Sequence, residues 1–449
     1  MASVAPGDHV GNHAGFFGGR RVEHSQLTAH TVALILAGGN GTRLGELTRW
    51  HSKPAIPFGG IYRNIDFSLS NCVNSGIRRI AALTQYKSQS LIEHLNEGWN
   101  FLPRQLGEFI DIWPAQQRVN NGWYRGTADA VFHNLEMLRQ LDPAYVLVLA
   151  GDHVYSMDYG PMLEQHARSG AGVTIACVEI PRQAAVEFGV MHCDADNRIV
   201  RFVEKPAHPE QLFPEQTTVL ASMGIYVFSF DVLLHALTHD AGVESSAHDF
   251  ARDVLPRLVR EGNASAFAFR DPVTQQQGYW RDVGTVEAYW QAHMELLSAE
   301  RPLRLNDKHW PIWTRPLYAP PAQVLETQPD GGGFLSNVIL SPGCVVRDAV
   351  IRNSVLSPGV QIMPGVVIED SVLLPNVIVG RGCHLRRVVV DSDVHVPEGS
   401  LIGHDLNSEW QAEAGQLMLT ENGVSMLSNN RFGTPVLIDV IQNRRVVAA

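Results

Sequence analysis

Apolar residues in the first two-thirds of the chain fall into short unbroken runs. Thr31–Ala37, Arg79–Thr84, Tyr145–Ala150 and Val173–Val178 are each four or more apolar residues deep, and Gly38-Gly39 stops the first. A strand buried on both faces reads this way, because neither face needs polar side chains. Between these runs the period becomes helical. After Ser88, the residues Leu91, Ile92 and Leu95 share a face that Gly98 closes. Thr127 is placed to cap a helix on which Val131, Leu135 and Leu138 recur at i, i+4 and i+7, ended by Asp142-Pro143. Strands alternating with helices predict an α/β domain with a mostly parallel sheet and a ligand site at the carboxyl ends of its strands.

The pattern changes after about residue 300. Pro302, Pro311, Pro316, Pro320, Pro321, Pro329 and Gly331-Gly332-Gly333 read as a linker. Beyond it, Val338, Cys344, Val350, Leu356, Ile362, Ile368 and Leu374 repeat every six residues. A second register runs Val360, Val366, Val372, Ile378, and a third Val390, Val396, Ile402, with Pro-Gly turns between. Six is neither a helical nor a hairpin period. It suits short strands wound into a parallel β-helix, in which each turn buries its face only by stacking on the next. The reading divides the chain into a leader, 1–30, an α/β domain, 31–300, a linker, 301–335, and a β-helix with a C-terminal extension, 336–449.

Composition narrows the class. Of 449 residues 45% are apolar and 18% charged, with 35 basic against 46 acidic side chains and a net charge of −11. Such a surface repels a phosphate backbone, so nucleic-acid binding is not expected, although a local basic cleft can still hold a small phosphate. Cys72, Cys177, Cys193, Cys344 and Cys383 are scattered and odd in number, which fits reduced thiols and lacks zinc-ligand spacing. No signal peptide and no membrane span are expected, so the protein is read as cytoplasmic.

The loop after the first strand, Gly38-Gly39-Asn40-Gly41-Thr42-Arg43-Leu44, can bring backbone N–H groups close to an anion. It is not a P-loop, since no Gly-Lys-Ser/Thr follows, and Leu44 stands where the dinucleotide fingerprint wants Gly or Ala. Arg43 offers a bidentate phosphate clamp and Lys53 a second cation. On the glycines alone, a tight turn with surface charges serves equally well.

The longer strings are more specific. Leu36 to Leu44, Lys53-Pro54-Ala55, Phe58-Gly59-Gly60, Trp123-Tyr124-Arg125-Gly126-Thr127-Ala128-Asp129-Ala130, Ala150-Gly151-Asp152-His153, Phe202-Val203-Glu204-Lys205-Pro206, Ala221-Ser222-Met223-Gly224-Ile225-Tyr226 and Tyr279 to Thr285 together resemble the glucose-1-phosphate adenylyltransferase family of sugar-phosphate nucleotidyltransferases, from about residue 31 to 420. The resemblance implies a Rossmann-like nucleotidyltransferase domain followed by a left-handed parallel β-helix. It also implies Mg²⁺-dependent transfer of AMP from ATP to glucose 1-phosphate. That nucleophile is already an anion, so positioning and charge neutralisation matter more than a general base. By the same resemblance Asp152 and Asp282 hold Mg²⁺, and Arg43 and Lys53 neutralise the ATP phosphates. Lys53, preceding proline, is expected to be extended and to project from a loop.

Gly38, Gly39, Thr42, Gln116, Gln117, Tyr124 and Gly126 would line the nucleotide. Gly189, Glu204, Lys205, Ser222 and Asp249 would line the sugar phosphate. A homotetramer and anionic allosteric effectors are implied as well.

Several positions depart from the family pattern. Trp50-His51-Ser52 precedes Lys53 where bacterial relatives usually carry Lys-Arg-Ala, Ile61 replaces a lysine, and Gln411-Ala412-Glu413 and Glu421 stand where basic residues are common. Weak activation by fructose 1,6-bisphosphate, or response to a different effector, is therefore expected, while Arg386 and Arg387 keep inhibition by AMP or phosphate open. Two alternatives stay open on these residues: a regulatory, non-catalytic paralogue, and a sibling enzyme that uses another nucleoside triphosphate.

Overall fold

The computed structural model describes residues 26–39, 41–116, 123–271, 274–326, 333–403 and 417–428. Its larger half is built on a nine-stranded sheet. The parallel centre is β1 (Thr31–Ala37), flanked on one side by β2 (Arg79–Thr84) and β3 (Phe109–Pro114) and on the other by β4 (Tyr145–Ala150). Beyond β4 come β6 (Val173–Pro181), β7 (Gly189–Cys193), β8 (Ile199–Glu204), β9 (Thr218–Ser229) and β10 (Ala264–Ala268). Only β8 and β9 run against the rest, so the sheet is mostly parallel as expected. A short two-stranded ribbon, β5 (His153–Tyr155) with β11 (Trp280–Asp282), stands apart.

The unbroken apolar runs are explained by burial on both sides. Val32 and Leu34 of β1 enter one core, while Ala33 and Ile35 enter the other, all with no exposure. The first core is covered by α3 (Thr127–Phe132), α4 (Leu135–Leu141), α6 (Phe230–Ala241) and α7 (Leu255–Arg260). The second is covered by α1 (Asn64–Asn74), α2 (Gln89–Gly98) and α5 (Gly160–Ser169). Each such aliphatic side chain contributes ~1.5–3 kcal/mol by leaving water, so Leu34→Ala would cost ~2–5 kcal/mol.

The single helix expected from Thr127 to Leu141 is two. Gly126, not Thr127, is the N-cap, and the helix breaks at Asn134. There the Asn134 amide donates to the Ala130 carbonyl at 2.8 Å and to the Tyr124 hydroxyl at 3.1 Å, a local alternative to the helical ladder. Val131, Leu135 and Leu138 are nevertheless all buried. The periodicity reported the buried face correctly and missed the break.

The expected linker is not free. Leu303 and Ile312 are buried, the Trp310 indole donates to Asn71 Oδ1 at 2.9 Å, and the Thr314 hydroxyl donates to Asp66 Oδ2 at 2.6 Å. Strand pairing of the β-helix already begins at Gln323–Leu325, ahead of the boundary at 336. From there three columns of buried residues climb the coil. They are Val346, Ile362, Val379, Val396; Ile351, Ile368, Leu385, Ile402; and Leu356, Leu373, Val390. Paired residues are seventeen apart through most of the coil, as in Ile351↔Ile368 and Ile368↔Leu385. One side of each turn is thus a residue short of six, so the six-residue repeat slips register with every turn.

Helix α8 (Val286–Leu297) docks the two halves together. The Trp290 indole donates to the Asp370 carbonyl at 2.7 Å, and the Arg387 guanidinium lies 4.5 Å over the Trp290 ring. Asn337 donates to the Leu297 carbonyl at 2.8 Å. Asn337, Asn353, Asp370 and Arg387 all sit at left-handed corners, with φ of 56°, 46°, 48° and 52°. Asn and Asp tolerate this conformation best, and here their side chains also bond to one another up the column.

All five cysteines are free. Burial pushes the Cys177 thiol up to about 12 and that of Cys193 to about 11, which leaves both unreactive at neutral pH. No helix among the described residues is long and apolar enough to cross a membrane.

Candidate active site

The sequence-predicted residues gather where the parallel strands end. Gly38 and Gly39 leave β1, Gln85 leaves β2, Gln116 follows β3, and Asp152 follows β4. After the glycines a 3-10 turn, Thr42–Thr48, starts at Gly41 with φ 60°. A Cβ on Gly41 would lie 2.8 Å from Thr48 Cγ2 and 3.0 Å from Lys53 Cγ, so only glycine lets the loop close over Lys53.

Lys53 itself differs from expectation. It is not extended on a loop but opens a 3-10 turn, Lys53–Ala55, and is 8% exposed. Pro54 is tolerated near the start of such a turn, where its missing N–H costs no bond, and Ser52 takes the extended conformation instead. The Asn64 amide donates to the Lys53 carbonyl at 3.1 Å and Arg63 to the Ala55 carbonyl, so α1 pins the turn.

The Lys53 ammonium donates to Asp152 Oδ2 at 2.9 Å and lies 3.7 Å from Asp282 Oδ1. Arg43 Nη2 is 3.9 Å from Asp282 Oδ2, and Arg43 Nη1 pairs with Glu187 at 2.9 Å. Two acids 130 residues apart thus meet around one cation, because β5 and β11 pair with Asp282 opposite His153. Burial resists charge on Lys53, yet the two carboxylates raise its affinity for its proton above the usual value. Burial also resists charge on Asp152, but Lys53 and His153 bring its carboxyl down to about 2. Lys53 and Asp152 are thus both held charged at neutral pH.

The donor set fits a divalent cation. Asp152, His153 and Asp282 each offer a ligand atom within 4.8 Å of the others, the one such group among the described residues. Asp282 Oδ1 is buried and accepts no hydrogen bond, which leaves a hard oxygen lone pair available. His153 belongs to the cluster although its sequence gave it no role; its only signal was its place after Asp152.

The sugar-side residues form a second group. Gly189 pairs with Glu204 across β7 and β8, and a Cβ at Gly189 would lie 2.6 Å from Glu204 Oε2. Lys205, with φ 44°, turns out of β8, half-exposed, with its ammonium 3.9 Å from Glu204 Oε1. Burial raises the Glu204 carboxyl, Lys205 opposes this and Asp249 adds to it, so the three share one neighbourhood. Ser222 is buried on β9, just before its pairing shifts register. Asp249 is more committed than expected. It accepts from Ala251 N and Arg252 N as a cap and from the Thr127 hydroxyl at 2.8 Å. Thr127 therefore serves Asp249 and not its own helix. Glu187, which links Arg43 to the turn before Gly189, had no sequence signal.

On the nucleotide side, Tyr124 N donates to Gln85 Oε1 at 3.2 Å, and Gln85 packs beside Gly38. Gly39 has open space beside it. Gln116 is exposed, Gln117 lies outside the described residues, and Thr42 opens the 3-10 turn. The close approach that Gly126 permits is made by this chain itself, since a Cβ there would meet the Ala247 and His248 carbonyl oxygens. Gln411-Ala412-Glu413 also lies outside the described residues.

Comparison with known proteins agrees with this arrangement. Residues 32–299 match the family described as nucleotidyl transferase, and residues 320–427 the GlmU-like C-terminal hexapeptide family. Glucose-1-phosphate adenylyltransferase 2 of Alkalilimnicola ehrlichii is 47% identical over 412 residues, covering 92% of this chain and 96% of its own. The glucose-1-phosphate adenylyltransferase of Paraburkholderia phytofirmans is 49% identical over 411 residues, 90% of this chain and 96% of its own. That of Hydrogenovibrio crunogenus is 49% identical over 385 residues, 86% and 91% respectively. With both halves matched and the acids and cations brought together, the chain belongs to the nucleotidyl transferase family and, within it, to the glucose-1-phosphate adenylyltransferases.

Proposed function

We propose that this chain makes ADP-glucose for α-glucan (glycogen) synthesis. A phosphate oxygen of α-D-glucose 1-phosphate attacks the α-phosphorus of ATP, the bond to the β,γ-phosphates breaks, and pyrophosphate leaves. The supporting observation is Lys53 held between Asp152 and Asp282 at 2.9 and 3.7 Å, at the carboxyl edge of the sheet. Bound there by Asp152 and Asp282, Mg²⁺ would supply positive charge to the phosphates of both substrates. Lys53 and Arg43 neutralise the triphosphate and its leaving group. Lys205 offsets the charge on the sugar phosphate, and Glu204 accepts from sugar hydroxyls. Gly38, Gly39, Thr42, Gln116, Gln117, Tyr124 and Gly126 are assigned to the nucleotide, and Gly189, Ser222 and Asp249 to the sugar. No residue needs to remove a proton from the nucleophile.

A non-catalytic paralogue would be free to lose Arg43, Lys53, Asp152, Lys205 or Asp282, and all five are retained. A panel of ATP, UTP, GTP and dTTP with glucose 1-phosphate tests the reading. Pyrophosphate release with ATP alone is expected, and release only with another triphosphate would overturn it. A cytoplasmic homotetramer is the assembly the family implies. Regulation is expected to be atypical. Trp50 and Ile61 are 42% and 38% exposed where lysines are usual, and Arg387 is committed to Trp290 and the Asn422 carbonyl.

A further inference from the structure

Asp282 is carried by an unusually slight element. Strand β11 is three residues long, and its only strand partner among the described residues is β5, also three residues long. An isolated two-stranded ribbon is marginal by itself, so something else must fix the direction in which Asp282 points. Buried Trp280, edge-on to His153 and Phe188, holds one face of the strand, and the residues on either side of it hold the other. Arg281 donates from Nε to Glu295 Oε2 and from Nη2 to Glu295 Oε1, both at 2.9 Å, a two-point clamp. The Tyr279 hydroxyl donates to the same Glu295 Oε2 at 2.8 Å, and the Arg281 guanidinium lies 5.1 Å over the Tyr279 ring. Glu295 sits on α8, the helix that Trp290 fixes to the β-helix.

The clamp has features of a designed joint. Glu295 is largely buried, with 17% of its side chain exposed, and its charge is opposed by burial but stabilised by Arg281 and Tyr279, which together lower its pKa. Arg281 is adjacent to Asp282 and, by strand alternation, faces the other way, so the clamp leaves the acid free. The backbone just past Asp282 also packs against the cluster. A Cβ on Gly284 would lie 2.8 Å from Asp282 Oδ1, 3.1 Å from Lys53 Nζ and 3.2 Å from Arg43 Nη2. Asp152 lies outside the ribbon, so a rotation of β11 would change the distance between the two carboxylates.

We propose that Glu295 is a positioning residue. Through Arg281 and Tyr279 it holds β11 in the orientation that aims Asp282 at Asp152, and so sets the affinity of the pair for its divalent cation. This rests on the metal reading of Asp152 and Asp282.

The test uses the full-length chain and three variants, Glu295→Gln, Glu295→Asp and Asp282→Asn. Mn²⁺ binding is followed by the loss of the free-ion electron paramagnetic resonance signal, alongside the Mg²⁺ dependence of turnover, KM for glucose 1-phosphate and thermal stability. Glu295→Gln should weaken Mn²⁺ binding and raise the half-saturating Mg²⁺ concentration by about fivefold or more. KM for glucose 1-phosphate should stay within about twofold. Glu295→Asp, which keeps the charge, should recover part of the metal affinity. If Glu295→Gln binds Mn²⁺ like the unaltered chain while Asp282→Asn does not, the positioning role is wrong and the metal reading stands. If Asp282→Asn binds Mn²⁺ normally, the metal reading itself fails. If metal affinity falls only in step with thermal stability and Glu295→Asp recovers neither, the residue is merely structural and the proposal is overturned.

Discussion

Replacing Lys53 by methionine removes the cation on which the arrangement turns while keeping most of the side-chain volume. The ammonium lies 2.9 Å from one carboxylate oxygen and 3.7 Å from another. At an effective dielectric near 20 these attractions amount to ~6 and ~4 kcal/mol before any cost of desolvation. That cost is large, because only 10% of the Lys53 side chain is exposed. The useful figure is therefore the ~3–5 kcal/mol lost when one partner of a buried pair is removed and the other charge is stranded. In Lys53→Met the Asp152 carboxylate loses its ammonium partner and Asp282 keeps only Arg43, at 3.9 Å, so the metal-free protein should melt ~5–10 °C lower in thermal denaturation. A divalent ion can replace the missing charge. Saturating Mg²⁺ should therefore raise the melting temperature of the variant by several degrees more than that of the unaltered chain. Turnover should still fall ~10²–10³-fold, since Mg²⁺ cannot replace a fixed cation on the leaving phosphates. A variant that melts with the parent in chelator, or gains nothing extra from Mg²⁺, would refute the idea that Lys53 holds two like charges together.

Other consequences follow from single sites. His293 is buried, its Nε2 accepts from Gly59 N at 3.1 Å and its Nδ1 donates to the Tyr289 carbonyl, and burial lowers its pKa to about 4. The unfolded chain takes up this proton near pH 6.5 and the folded chain only near 4. Stability should therefore fall by ~3 kcal/mol as pH drops across that window, and denaturant titrations should show His293→Gln with a shallower slope. Asp152 acts at lower pH: its contribution is complete above ~4 and is lost as pH falls through 2. Gly126→Ala should displace the Ala247–His248 backbone and raise KM for glucose 1-phosphate through Asp249, and an unchanged KM would count against that link. Initial rates with millimolar fructose 1,6-bisphosphate should rise less than tenfold.

Much of this organisation was legible because burial on two faces leaves an unmistakable trace. The runs at Thr31–Ala37, Arg79–Thr84 and Tyr145–Ala150 coincide with β1, β2 and β4. The six-residue repeat identified the β-helix, and its register slips are now accounted for by turns of seventeen residues. What stayed hidden depended on partners distant in sequence. Nothing local shows that Asn134 will turn its amide back on Ala130, that Lys53 will be drawn into a 3-10 turn by Asn64, or that Trp310 and Thr314 will tie the proline-rich segment to α1. The candidate site was legible in its acids and cations, which the motif strings carry. Glu187 and Glu295 were not, since each is an ordinary surface-type residue until the fold places it against an arginine.

The most direct measurement is ADP-glucose formation by the purified chain and by Asp152→Asn, with ATP, glucose 1-phosphate and Mg²⁺, alongside circular dichroism of both. Turnover by the parent that stops without Mg²⁺, and a folded Asp152→Asn variant with no measurable turnover, is the expected result. A folded Asp152→Asn variant that turns over at the parent rate, or a parent indifferent to Mg²⁺, would contradict it.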